Sequence, residues 1–174
     1  AEMRLDLDAR YSALVHDFGK GLTPRNLLPK HYGHDIKGVK VVHDFSMRLT
    51  VPSKTRETAK KVTRYHMYMH KLKELKSKTV VHMFEGMNSL RDEHSVHTLY
   101  LVGICDARGR LGHETADVTG HVLLLSFFNA FKSVKFADVF PEGETNVNKI
   151  KNDMFRARVS AVNQVEKYQS DGLK

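Results

Sequence analysis

An all-α domain is the fold class this sequence predicts, and three observations carry it. Apolar residues recur at i, i+3 and i+4 along most of the chain. Strict apolar–polar alternation over more than a few residues is hard to find, which leaves little from which to build strands. Prolines 24, 29 and 52 punctuate the periodic segments. With 174 residues the chain can bury a core of its own, so one globular unit over 1–174 is expected.

The first helix carries Leu7, Tyr11, Leu14, Val15 and Phe18 on one stripe and is expected to close at Gly19 and Gly21. "LTPRNLLPKHYGHDIKG" reads as a loop in which Pro24 and Pro29 set turns. A second helix is expected from Asp35 to Leu49 and, after Pro52 and Ser53, a third from Lys54 to His70. Shorter helical stretches follow at Thr79–Phe84 and Val96–Asp106. Val118–Val134 contains "VLLLSFFNAF", a buried helix too short for the ~20 residues that cross a bilayer. "FADVFPEGETN" reads as a turn-rich connection, and a last long helix runs from Val147 to Tyr168.

Composition narrows the function. No basic-then-apolar leader opens the sequence, and a lone Cys105 cannot pair within the chain, so a reducing cytoplasm is the expected compartment. The net charge of +8 is unevenly spread. Lys20 to Lys78 holds 15 Lys/Arg against 4 Asp/Glu, a net of +11, and the remainder is at −3. Such a segment suits a polyanionic partner or is a solvated basic face.

Two stretches look alike, "LVHDFGKG" at 14–21 and "VVHDFSMR" at 41–48. His16 and Asp17 sit at a helix end beside glycines, where neighbouring side chains can converge on a cleft. His43 and Asp44 sit mid-helix, where neighbours point about 100° apart, so they read as a polar edge and a surface charge. Other candidates lie on inward faces. His66 shares a stripe with Ala59, Val62 and Met69, and with His70 forms an i, i+4 pair able to meet one metal or one phosphate. Asp106 ends the apolar stripe Val96, Leu99 and Val102, and a carboxylate there needs a cation or hydrogen-bond partners. His34 could add a ligand from the loop. Each also has a plainer reading, a hydrogen-bonded core histidine or an Asp106 paired with Arg108 or Arg110.

The motif His-Asp-x-Gly-Lys, followed in order by "HYGHDIKG", "YHMYMH" and "ICDARGRLGHE", resembles the HD superfamily of metal-dependent phosphohydrolases. It is most similar to the C-terminal HD domain of bacterial multifunctional CCA-adding enzymes, the tRNA nucleotidyltransferases, including "GLTPRNLLPKHYGH" and "IKNDMFRARVSAVNQV". The resemblance implies a helical domain with metal ligands His16, Asp17 and Asp106, and with His34 and His66 as further ligands in two-metal relatives. It implies hydrolysis of 2',3'-cyclic phosphates, 2'-nucleotides and phosphomonoesters, with nickel or another divalent ion for the phosphatase. It also implies partnership with tRNA 3' ends during maturation and repair. Asp17 or a neighbouring imidazole would accept a proton from water acidified by the metal, and Lys20 would contact a phosphate oxygen as a point charge or lie on the surface of a turn.

Two departures accompany the resemblance. The family's first metal-binding His lies well upstream of the pair, whereas Ala1 stands fifteen residues before His16. The sequence therefore reads as a fragment of a longer chain, with weakened metal binding. The magnesium-dependent nucleotidyltransferase head has no counterpart in these residues, so CTP or ATP addition is not expected. The alternative is a tRNA-binding helical module with a residual metal site.

Overall fold

The computed structural model describes residues 5–171, which leaves Ala1, where the fragment reading began, outside the described residues. It is all-helical, with no strand among the described residues. The helices are α1 (Leu7–Val15), α2 (His34–Arg48), α3 (Ser53–Met69), α4 (Ser77–Gly86), α5 (Glu93–Arg108), α6 (Thr119–Ser133), α7 (Phe136–Val139) and α8 (Val147–Asp171). Short 3-10 turns occupy Phe18–Leu22, Arg25–Leu27 and Leu72–Glu74.

Local chemistry sets the helix starts. Asp6 caps α1 by accepting from the Ala9 N–H at 2.8 Å, and Asp92 caps α5 through the Ser95 N–H at 3.3 Å. Gly33, at φ +68, turns the chain into α2 through the left-handed region.

The main core is built on α3, α4, α5, α6 and α8. Phe84, Phe127, Phe128 and Phe131 are fully or nearly fully buried, and Phe84 meets Phe128 and Phe131 at ring-centroid distances of 5.3 and 5.2 Å. The C-terminal helix α8 packs on α4 and α6 and contributes Val162 to this core. A smaller cluster of Val15, Val42 and Ala59 joins α1, α2 and α3.

Three expectations are corrected. The first helix stops at Val15, and a 3-10 turn carries the glycines; its buried face is Ala9, Ser12 and Val15, whereas Leu7 and Leu14 are exposed. On α2 the spacing of Ile36, Val39 and Ser46 suggests the inward stripe; Ser46 is buried, but Ile36 faces solvent, because the close approach of Gly38 to its neighbours puts His34, Gly38 and Val42 inward. "FADV" forms the short α7, stabilised by the Asp138 carboxylate on the Lys135 N–H at 3.1 Å.

The turn after α1 is held by a glycine contact. A Cβ added at Gly19 would lie 2.0 Å from the His34 carbonyl oxygen and 2.8 Å from the Gly38 Cα. One added at Gly38 would meet Thr63 on α3 at 3.0 Å. The backbone can therefore bring α1, α2 and α3 together only where side chains are missing. Gly19→Ala is expected to lower stability by about 2 kcal/mol or more through overpacking against backbone. Gly21→Ala, whose Cβ would meet nothing, should change it by less than ~1 kcal/mol. Urea denaturation of the two variants checks the contrast.

Candidate metal centre

Four elements deliver the site. His16 caps the C-terminus of α1, and Asp17 follows it at the start of the turn. His34 opens α2, His66 lies in the last turn of α3, and Asp106 lies near the end of α5. Helix α3 touches α1, α2 and α5, so it is the common wall of the cluster. An ion pair of 2.8 Å between Arg64 on α3 and Asp35 on α2 fixes the start of α2, and His34 with it.

Each of the three central imidazoles has its tautomer set by the backbone. His16, His34 and His66 place Nδ1 at 2.8, 2.7 and 2.8 Å from the carbonyl oxygens of Ala13, His31 and Thr63. A carbonyl only accepts, so Nδ1 carries the proton and each neutral ring aims a lone pair from Nε2. These three lone pairs converge. His34 Nε2 and His66 Nε2 stand 3.1 Å apart, and Asp17 Oδ1 lies 3.2 Å from the first and 3.5 Å from the second. His16 Nε2 is 3.5 Å from Asp17 Oδ2 and 3.9 Å from Asp106 Oδ1. His16 Nε2 and Asp17 Oδ1 are buried without a hydrogen-bond partner.

Acceptors facing one another in this way repel unless a cation lies between them. Donor atoms about 2.1 Å from one ion stand roughly 3 to 3.5 Å apart, and the separations here run from 3.1 to 3.9 Å. His16, Asp17 and His66 have ligand atoms within 4.8 Å of one another. A set of imidazole and carboxylate donors, with each imidazole oriented by a carbonyl, fits a divalent cation. The chemistry such a cation supplies when bound is Lewis acidity toward a phosphoryl oxygen and toward water.

The protonation states suit that role. Burial lowers the His16 pKa, despite the nearby carboxylates, and keeps its lone pair free at neutral pH. Burial opposes ionisation of Asp17, but the Lys20 ammonium bonded to it outweighs that and holds the carboxyl far below its usual range. Asp106 is lowered to about 2, chiefly by the hydrogen bond from His70.

The site opens into a cleft of about 620 Å³, lined among others by Lys20, Lys30, Lys71 and Arg110. Lys20 reaches the Asp17 Oδ2 at 2.5 Å and also borders the cleft. Every residue singled out for the site from sequence, His16, Asp17, Lys20, His34, His66 and Asp106, lies here. The look-alike pair does not: Asp44 is exposed and bound to Lys40.

Several residues escaped sequence reasoning. His70 was seen only as half of an i, i+4 pair, but its Nε2–H donates to Asp106 Oδ2 at 2.9 Å. Arg110 lies 3.6 Å from Asp106, so the plainer pairing is also present, at long range. His94, which had no evident context, binds Asp8 of α1 at 2.9 Å and so ties α5 to the helix that ends in His16. The sequence carried no signal for Lys30 and Lys71 beyond their charge.

The family profile described as HD domain matches residues 1–108, the span that holds every one of these donors. The chain belongs to the HD domain family. No solved structure matches it. HD domains are generally metal-dependent hydrolases of the phosphohydrolase superfamily, and the family implies a divalent metal.

Two outcomes test the centre. A divalent ion at a hundredfold excess over its Kd should stabilise the chain by about 2.7 kcal/mol; thermal melts should show this for the wild type and not for Asp17→Asn. In metal-free protein, the depressed pKa means that Asp106 contributes stability above the ordinary carboxylate range and loses it as pH falls from about 4 to about 2. Urea titrations from pH 6 to 2 should show the gap between wild type and Asp106→Asn, about 2 kcal/mol at most, closing over that window.

Proposed function

We propose that this HD domain is a metal-dependent phosphohydrolase that cleaves 2',3'-cyclic phosphates, 2'-nucleotides and phosphomonoesters, and that it belongs to a CCA-adding tRNA nucleotidyltransferase. The observation that carries the chemistry is the convergence of three backbone-oriented imidazoles and two depressed carboxylates beneath a cleft rimmed by four cations. The donors fit a divalent ion, nickel being the resemblance's choice, and the rim fits an anionic substrate.

The chain's own residues have separable tasks. Lys20, Lys30, Lys71 and Arg110 attract and orient the phosphate, Arg110 through its planar fork. Asp17, ionised and close to three imidazoles, is placed to accept a proton from water. His70 holds Asp106 in orientation. The order of motifs from "HDFGKG" to "ICDARGRLGHE" and the basic composition support tRNA 3' ends as the setting.

Hydrolysis of 2',3'-cyclic AMP with nickel, manganese or chelator tests the reading. Metal-dependent turnover is expected, falling more than about a hundredfold in Asp17→Asn and His66→Ala, since even outer partners of a metal cost ten- to a hundredfold. Turnover that survives both chelation and Asp17→Asn would refute it. Metal binding without turnover, with RNA binding intact, would instead favour the helical tRNA-binding module.

A further inference from the structure

The segment joining α3 to α4, with the first turn of α4, carries charge that the metal centre does not use. Lys71, Lys73, Lys76 and Lys78 are all exposed. None of the four makes an ion pair among the described residues. They open in chain order onto three cavities. Lys71 borders the cleft over the metal donors and, with Lys73, the adjoining hollow of about 330 Å³, whose lining also holds Glu74 and Asp117. Lys76 and Lys78 line a groove of about 740 Å³ between the start of α4 and α8, with Asn152, Phe155, Arg156 and Ser160.

No carboxylate is among the described residues lining that groove. Its cations could neutralise phosphates, its amide and hydroxyl groups could bond to sugars or bases, and Phe155 supplies an aromatic surface that already stacks with His82 at 4.6 Å. A membrane is a poorer match, because the surface is concave and none of the large exposed apolar side chains lines it.

We propose that Lys71, Lys73, Lys76 and Lys78 form a track along which a single-stranded polynucleotide runs from the α4–α8 groove to the cleft, where its terminal phosphate ester sits. This extends the phosphohydrolase reading: the preferred substrate is the end of an oligonucleotide and not a free nucleotide. The lysine row gives the strand a path without reading its sequence, since phosphate contacts position and do not specify.

The test uses the full chain and the triple variant Lys73→Glu/Lys76→Glu/Lys78→Glu, leaving the cleft residue Lys71 in place. A control of equal charge change, Lys40→Glu/Lys54→Glu/Lys135→Glu, lies outside all three cavities. Binding of a fluorescent single-stranded oligoribonucleotide ending in a 2',3'-cyclic phosphate should weaken more than about tenfold in the track variant only. Its log–log salt slope should fall by roughly 2 units, near 0.7 per lost single-strand phosphate contact. KM should rise for that oligonucleotide and stay unchanged for 2',3'-cyclic AMP.

Equal losses in track and control variants would overturn the track, as would a matching rise in KM for the mononucleotide. Competition by polyglutamate as effective as by unlabelled oligonucleotide would overturn it in favour of an acidic protein partner. If no substrate is hydrolysed while oligonucleotide binding still depends on the three lysines, the phosphohydrolase reading fails and the track stands.

Discussion

The approach of the Gly19 turn to Gly38 is the constraint on which the site depends. His16 and Asp17 stand at the end of α1, and they can reach His34 and His66 only if the turn after them presses onto the start of α2. A methyl group at Gly19 would fall 2.0 Å from a backbone oxygen, which no side-chain rearrangement relieves. The glycine in "HDFGKG" is therefore needed less for a turn conformation than for contact distance. It lets backbones meet so that side chains from four helices can converge.

That convergence works against stability when no cation is present. In their neutral form the three imidazoles point lone pairs at one another and at an ionised carboxylate, and the carbonyls behind them prevent the rings from turning to other tautomers. An ordinary core would replace such groups with apolar ones. Ties elsewhere hold the arrangement together: Asp8 receives hydrogen bonds from Thr55 and His94 at the far end of α1, and Arg64 pins Asp35 beside His34. The scaffold absorbs the repulsion, so the donors are oriented before any ion arrives.

Much of this was legible in the chain. Helix spacing put His66 on the stripe of Ala59, Val62 and Met69, and all four are buried. Asp106 ends the stripe of Val96, Leu99 and Val102, each fully buried. The position of each His-Asp pair within its helix separated the clustered pair from the exposed one. What the sequence could not supply was long-range contact. The stripe assigned to α1 held for Val15, Tyr11 and Phe18, which meet the smaller core cluster, but not for Leu7 and Leu14, because the neighbours of α1 take the smaller Ala9 and Ser12 at the interface. His70 and His94 were indistinct for the same reason, since their meaning comes from carboxylates 36 and 86 residues away.

Charge shows most clearly how geometry adds to composition. The excess of +11 between Lys20 and Lys78 is one number in the sequence, but the fold divides it in two. Arg64, Lys40, Lys60 and Lys61 are matched to Asp35, Asp44, Glu57 and Asp92 and fix helices or coat exposed faces. Lys30 and Lys71 stand at the cleft without an acidic partner among the described residues, and Lys73, Lys76 and Lys78 continue that unpaired charge away from it. Paired charges on a surface contribute little field beyond a Debye length of about 8 Å, so the potential a distant polyanion meets is set by the unpaired group. Arg25, Lys37, Arg48 and Lys54 are exposed away from the cleft and spread part of the attraction over the surface, while the row from Lys78 to Lys30 directs the rest at the carboxylate and imidazole cluster.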